Sequence, residues 1–342
     1  MGRTVTGMYR WRHAPVSAVG WRAVALAALL AAVASCEGAG RDQIVAVSAR
    51  GVVRGFVYFD ANGTRAYEPL LDPGQPGVAV AVFPRGSRQV IARGTSGADG
   101  LYRLTNIPVG DYVAVVDSAT VGDSARVVRV ELDQFTLRPG DSVTTEVGVS
   151  FPAATVAQAR GLVAGRRVFV TGVALTSPSS FGDSTVHLAD ATGAIRATAV
   201  LPGLVLIADN IRVLGTRAAR DGQPTLDNVS IFPVGQPAAP VSEQVTTAVA
   251  ATADAGRLDA ALVRVVGLIT DTTTVLPQGD YIATAISADS AGTVAIVFDG
   301  DAVLTISPYV PGVTVDATGV LVPTGSGTWR LKPRVTTDVV LR

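Results

Sequence analysis

Apolar and polar positions alternate in short runs along this chain, and turn-forming residues separate the runs at close intervals. Between residues 52 and 150 the alternation predicts strands at 52–59, 78–83, 89–93, 102–105, 112–117, 125–132 and 142–149. The stretch SGADGLYRLTNIPVGDY, residues 96–112, shows the grammar. Asp99-Gly100 turns the chain, Tyr102 and Leu104 share one strand face, and Pro108 to Gly110 turn it back so that Tyr112 points inward. Short runs bounded by Gly, Pro, Asp and Asn predict an antiparallel sandwich. Its turns set register, and Asp99 and Asp111 are read as turn formers.

Residues 153–235 and 240–342 read as two copies of a second pattern. Val168-Phe169-Val170-Thr171-Gly172 matches Val263-Arg264-Val265-Val266-Gly267, and the hairpin Asp190-Ala191-Thr192-Gly193-Ala194-Ile195 matches Asp289-Ser290-Ala291-Gly292-Thr293-Val294. A further strand, Ile211 to Gly215, matches Thr314 to Gly319 after a longer connection. Alanine-rich stretches, Val156 to Leu162 and Val245 to Ala261, introduce the copies and are predicted helical, and PVGQPAAP at 233–240 is a natural linker. The fold class expected is therefore all-β: an N-terminal β-sandwich followed by two small five-stranded barrels.

The first unit resembles the SD-repeat B and carboxypeptidase-regulatory-like family of prealbumin-type sandwiches. The residues that carry the likeness are Gly55 to Gly63, Glu68-Pro69, Pro76 to Val80, Gly97 to Leu104 and Ile107 to Tyr112. Both later units resemble the OB-fold-like modules of secreted bacterial proteins, with their V-x-V-x-G strands and D-x-T-G-x-I hairpin.

At the N-terminus, Arg3, Arg10, Arg12 and Arg22 precede an apolar run from Ala23 to Ala34, a pattern that fits a signal peptide over residues 1–35. Twelve apolar residues are too few to span a bilayer of about 30 Å as a helix. Val33-Ala34-Ser35-Cys36 resembles the lipobox of bacterial lipoproteins. The resemblance implies a leader cut before Cys36, acyl chains (palmitate among them) on that residue and a lipidated tether over 36–51. Met1 and Met8 both remain as starts. Several acyl chains give a firm anchor where one does not. The expected place is the cell envelope, on the outer membrane of a Gram-negative-type bacterium.

The whole chain is formally neutral, but without its first 35 residues it carries 24 basic against 28 acidic side chains. That balance argues against nucleic acid as a partner, because phosphate contacts dominate such binding. Aromatic residues are scarce and Lys332 is the only lysine. This excludes a lysine–asparagine isopeptide crosslink in the first unit.

Catalytic chemistry finds few residues. Beyond the leader one histidine remains, His187, alternating with Val186 and Leu188 and expected at a partly exposed sheet position. With a single histidine and no free thiol, no zinc site of the usual type can be assembled, and no G-x-S-x-G elbow occurs. No catalytic residue is assigned, and the chain is read as a non-enzyme. Asp60, Asn62 and Glu68 in FDANGTRAYEP are the candidates for calcium. A structural turn capped by Asp60 is the reading preferred, so no cofactor is expected. Trp329, Arg330, Lys332 and Arg334 form the most basic and aromatic stretch and are the candidate binding residues for single strands or polysaccharide. The alternative has Trp329 and Leu331 in the barrel with Arg330 and Lys332 facing water. Loops Asp60–Pro76, Thr176–Asp183 and Leu276–Asp280 are the candidate recognition surfaces. The expected function is a binding, adhesion or scaffolding module of the envelope, with a protein or polysaccharide partner. An accessory module presenting nucleic acid or polysaccharide to a separate enzyme is the second expectation.

Overall fold

The computed structural model describes residues 49–275, 279–287, 292–300 and 310–342. Cys36 and its leader lie outside the described residues, as do the residues at 276–278 of the third candidate loop.

Two four-stranded sheets face each other in the first unit. One has the order β4 (Leu101–Pro108), β1 (Arg50–Phe59), β8 (Ser142–Ser150), β6 (Arg126–Val130); the other runs β3 (Ala92–Thr95), β2 (Ala79–Pro84), β5 (Gly110–Val116), β7 (Gln134–Leu137). Strands β1 and β8 are parallel neighbours. Between the sheets lies a core that includes Val53, Val57, Val80, Tyr102, Leu104, Tyr112, Phe135 and Leu137. The turn before β4 depends on Gly100. Its φ is +81°, and a Cβ there would lie 2.3 Å from the Val57 carbonyl oxygen, so the tight approach admits no side chain. The Asp99 carboxylate accepts the Leu101 N–H at 3.0 Å, and the Tyr112 hydroxyl donates to the Pro108 carbonyl at 2.7 Å.

Two sequence expectations are corrected here. The strand expected at 89–93 forms instead at 92–95. The run 125–132 forms one strand, β6, that stops short at Val130, and the strand β7 that follows it was not expected. Leu132 adopts φ +53° and the chain turns, leaving β6 in one sheet while β7 crosses to pair with β5 in the other. The apolar residues Phe135 and Leu137 reward that crossing by entering the core.

Both later units are closed five-stranded barrels with the same strand order. In the first, β10 (Arg167–Ala174), β11 (Val186–Asp190), β12 (Gly193–Ala197), β14 (Gln223–Pro233) and β13 (Asn210–Arg220) return to β10. In the second, the ring is β16 (Leu262–Val275), β17 (Tyr281–Ser287), β18 (Thr293–Phe298), β20 (Trp329–Lys332) and β19 (Thr314–Pro323). The third and fifth strands run parallel in each, as β12–β14 and β18–β20. This is the order of an OB-like barrel.

The duplication reaches further than the barrels. Each is preceded by a two-residue strand, β9 (Ala153–Ala154) or β15 (Glu243–Gln244), parallel to the first barrel strand, and then by a short helix. These are α1 (Val156–Gly161) and α2 (Thr247–Thr252). Thr155 and Thr246 cap them, their hydroxyls accepting the N–H groups of Gln158 and Val249. The second helix is far shorter than the predicted 245–261. Ala253, Asp254 and Ala255 all take positive φ, which ends the helix and drops Leu258 into the barrel core. In β16, Gly267 takes φ +66° where the register with β19 shifts between Val265 and Leu268, a bulge that helps a small sheet curl closed. A final strand, β21 (Val339–Leu341), pairs with β19.

Candidate binding site

The loop after β1 closes on itself. Asp60 is fully buried; its Oδ1 accepts the Gly63 and Thr64 N–H groups at 2.8 and 3.1 Å, and its Oδ2 accepts that of Arg65 at 2.9 Å. Asp72, which the sequence reading passed over, does the same from the far end, accepting Ala61 and Glu68 N–H groups at 3.0 and 2.8 Å. Burial raises the Asp72 pKa, partly offset by those two bonds. Asn62 donates to Glu68 at 3.1 Å and Thr64 to its other oxygen at 3.0 Å. Carboxylate oxygens bonded to backbone N–H groups are committed to shaping the loop. Among the described residues no cluster of three or more metal-ligating side chains forms.

The basic stretch at 329–334 meets the first barrel. Trp329 is half-buried and donates its indole N–H to Asp259 at 2.8 Å. Lys332, expected to face water, points out of its own barrel but lies over the Phe181 ring, 4.3 Å from the centroid, and is ion-paired with Asp299. Arg334 donates to the Leu175 carbonyl at 2.9 Å and holds Asp338 through both carboxylate oxygens. Two of the three cations named for a ligand thus join the barrels together, and the tryptophan braces Asp259 within its own unit. Arg330 is half-buried. What a strand's alternation tells is which side faces out, and here the outside is covered by a neighbour.

His187 is also corrected. It is 1% exposed, on the outer face of β11 and beneath Phe181. Thr176 accepts its backbone N–H at 2.8 Å and sits 3.3 Å from Nδ1, while Nε2 has no protein partner. Burial, with Arg196 and Lys332 nearby, lowers its pKa to about 3. It is a neutral imidazole enclosed at a seam.

Asp259 is the centre of that seam. It receives Trp329 and Gln223 on Oδ1, the latter at 3.0 Å, and stands 3.6 Å from Arg160 of α1. Arg160 donates to the carbonyls of Ala194, Asp259 and Gly256 at 2.8 to 2.9 Å. Burial raises the Asp259 pKa, and Trp329, Arg160 and Gln223 hold it back. Leu175, Ala194, Ala260, Leu262 and Val320 pack alongside. The outer face of the second and third strands of one barrel therefore rests on the first and fourth of the next. None of these roles was visible in sequence, because Gln223, Arg160, Phe181 and Leu175 meet their partners across units, and Trp329 meets Asp259 from 70 residues away in its own. The one available signal was Trp329 standing in a chain poor in aromatics.

Next to the seam a cleft of about 650 Å³ lies between the β11–β12 turn, the linker at 239–243 and the residues after α2. Its floor is apolar, with Leu175, Ala194 and Leu262. Of its charged lining, Arg257 is paired with both Glu243 and Asp254, and Asp190 accepts the Val156 N–H at 2.9 Å. The charged groups are occupied, so the cleft presents shape and apolar surface without a reactive group. No helix among the described residues is long and apolar enough to cross a membrane.

No family model matches the chain, and no curated protein matches it either. Solved structures do. The hypothetical protein ygiW from E. coli is 22% identical over 24% of this chain and 89% of its own, with a TM-score of 0.21. The Ifi202 HINa domain, solved in complex with DNA, is 12% identical over 53% of this chain and 97% of its own, with a TM-score of 0.28. The Bacillus anthracis TIE protein is 10% identical over 84% of this chain and 49% of its own, with a TM-score of 0.22. Superpositions this loose carry no inference about what the chain binds.

Proposed function

We propose that this chain is a non-enzymatic cell-envelope lipoprotein that holds three β-units in a fixed row as a binding or scaffolding module. The observation that carries the scaffolding half is the Asp259 seam, where side chains from both barrels converge on one buried carboxylate. The apolar packing of Leu175, Ala194, Ala260, Leu262 and Val320 beside it opposes the free domain motion that a simple linker would permit. The reading draws its envelope half from the arginine-bearing leader and the lipobox-like Val33 to Cys36. The first unit is read as SD-repeat B-like on its sequence motifs, and its role as that of a spacer and recognition surface near the anchor. The basic stretch does not favour nucleic acid, since Trp329, Lys332 and Arg334 are engaged within the fold.

The test is the intact mass of the mature N-terminus in cells, with and without an inhibitor of lipoprotein processing, together with membrane fractionation. A triacylated or diacylated Cys36 in the membrane fraction is expected. An unmodified chain in the soluble fraction overturns the anchor. Affinity capture from envelope extracts then identifies the partner.

A further inference from the structure

The loop that reads as a cation site presents cations instead. Where the sandwich meets the first barrel, Arg65, Arg126 and Arg212 line one cavity of about 290 Å³, with Thr64, Thr171 and Phe151. Arg65 comes from the Asp60 loop, Arg126 from β6 and Arg212 from β13, so two units are needed to bring them together. Arg212 is tied in place by donating to the Asn62 carbonyl at 2.9 Å and lies 3.4 Å from the Thr171 hydroxyl. Arg65 has φ +64°, uncommon for a residue with a side chain. The Asp60 carboxylate holds it there by accepting its N–H.

Three arginines and one carboxylate residue, Asp60, line this cavity, and the two Asp60 oxygens already accept three backbone N–H groups. Among the described residues none of the three arginines forms an ion pair. Gathering like charges without a counter-charge is unfavourable, and an anion between them removes the repulsion. Guanidinium forks match phosphate oxygens closely. A phosphomonoester carries close to two charges at neutral pH and three acceptor oxygens, whereas a carboxylate brings one charge and two oxygens. The volume is at the small end for ligand sites, and junctions between domains are a common place for them.

We propose that this junction binds a small, soluble phosphomonoester or inorganic phosphate, with Arg65, Arg126 and Arg212 as donors and the Thr171 hydroxyl beside them. The purpose of the site rests on the binding-module reading above, but its test does not depend on the anchor or on a captured partner.

Calorimetric titration of the purified chain with inorganic phosphate and with 2-glycerophosphate, at constant ionic strength, reads the site directly. Acetate and chloride serve as controls, and phosphatidylcholine vesicles containing phosphatidate test a lipid headgroup. Saturable binding of both phosphates is expected. Arg126→Gln and Arg65→Asn should each weaken it about tenfold, the loss of one charged hydrogen bond. Arg103→Gln, on another face, should leave it unchanged. Asparagine tolerates the left-handed backbone at 65, and Arg126 is exposed on its strand, so at least one folded variant is at hand. The assignment is overturned by the absence of saturable binding, by an equal response to acetate, by unaltered affinity in the folded variants, or by binding to phosphatidate vesicles alone. Any of these leaves the lipid-anchor reading untouched.

Discussion

Arg160, on the helix ahead of the first barrel, donates to the backbone carbonyl of Asp259, which leads into the second, at 2.9 Å. The same guanidinium stands 3.6 Å from the Asp259 carboxylate. Arg160→Met removes the charge partner of a buried acid and should cost about 3 kcal/mol. It should also loosen the row of barrels. Chemical denaturation followed by fluorescence, with small-angle scattering on the native state, checks both effects. An unchanged midpoint and radius of gyration would show that the apolar seam suffices alone.

Trp329 separates a structural role from a ligand-binding one. Trp329→Phe keeps the ring but deletes the donor to Asp259, leaving that oxygen with Gln223. A loss of about 1–2 kcal/mol in unfolding free energy is expected. Affinity for single-stranded DNA, measured by fluorescence anisotropy, should not change. A large fall in that affinity with stability intact would restore the nucleic-acid reading.

Acid should act through His187. Its folded pKa of about 3 lies below the unfolded value near 6.5, so the unfolded chain binds the extra proton between those pH values. Stability from this group is complete above the unfolded pKa and drains away as pH falls towards 3. The slope is about 1.4 kcal/mol per pH unit at most. Urea melts at pH 7 and pH 4 should show a loss in the parent chain that His187→Gln reduces. Equal losses in both would place the acid sensitivity in groups other than His187. Asp316, which Arg342 holds well below the usual carboxylate range, loses its contribution only below about pH 4.

On the sandwich, Arg54 and Arg103 are direct cross-strand partners of β1 and β4. Like charges directly opposed on one sheet face repel. Arg103→Glu should raise the unfolding free energy by about 0.5 kcal/mol, and the gain should shrink in high salt. Thermal melts at two salt concentrations are enough to see it.

Much of the architecture was legible in the sequence because strands and turns are written locally. Asp99-Gly100 and Pro108 to Gly110 bracket β4 as read, and the matched V-x-V-x-G runs became the first strands of two like barrels. The boundaries failed where local signals are silent. Nothing in 125–132 announces that Leu132 reverses the chain, and nothing in the alanines after Thr252 marks three successive left-handed residues. The site was least legible. Alternation put Lys332 on the outside of its barrel, but only the fold brings Phe181 over that outside. Asp60 was named for its chemistry and preferred for its turn, and the loop hydrogen bonds go to the turn.

The repeated lead-in of short strand and capped helix carries a consequence for how such a chain grows. Each barrel brings its own connector, and the second rests on the outer face of the first, so adding such a unit requires no redesign of what came before. On the matching strand of the second barrel, β17, Ile282 and Ile286 are half-buried and alternate with the buried Tyr281, Ala283 and Ala285. A molecule made this way is modular by construction, and its length is set by counting copies.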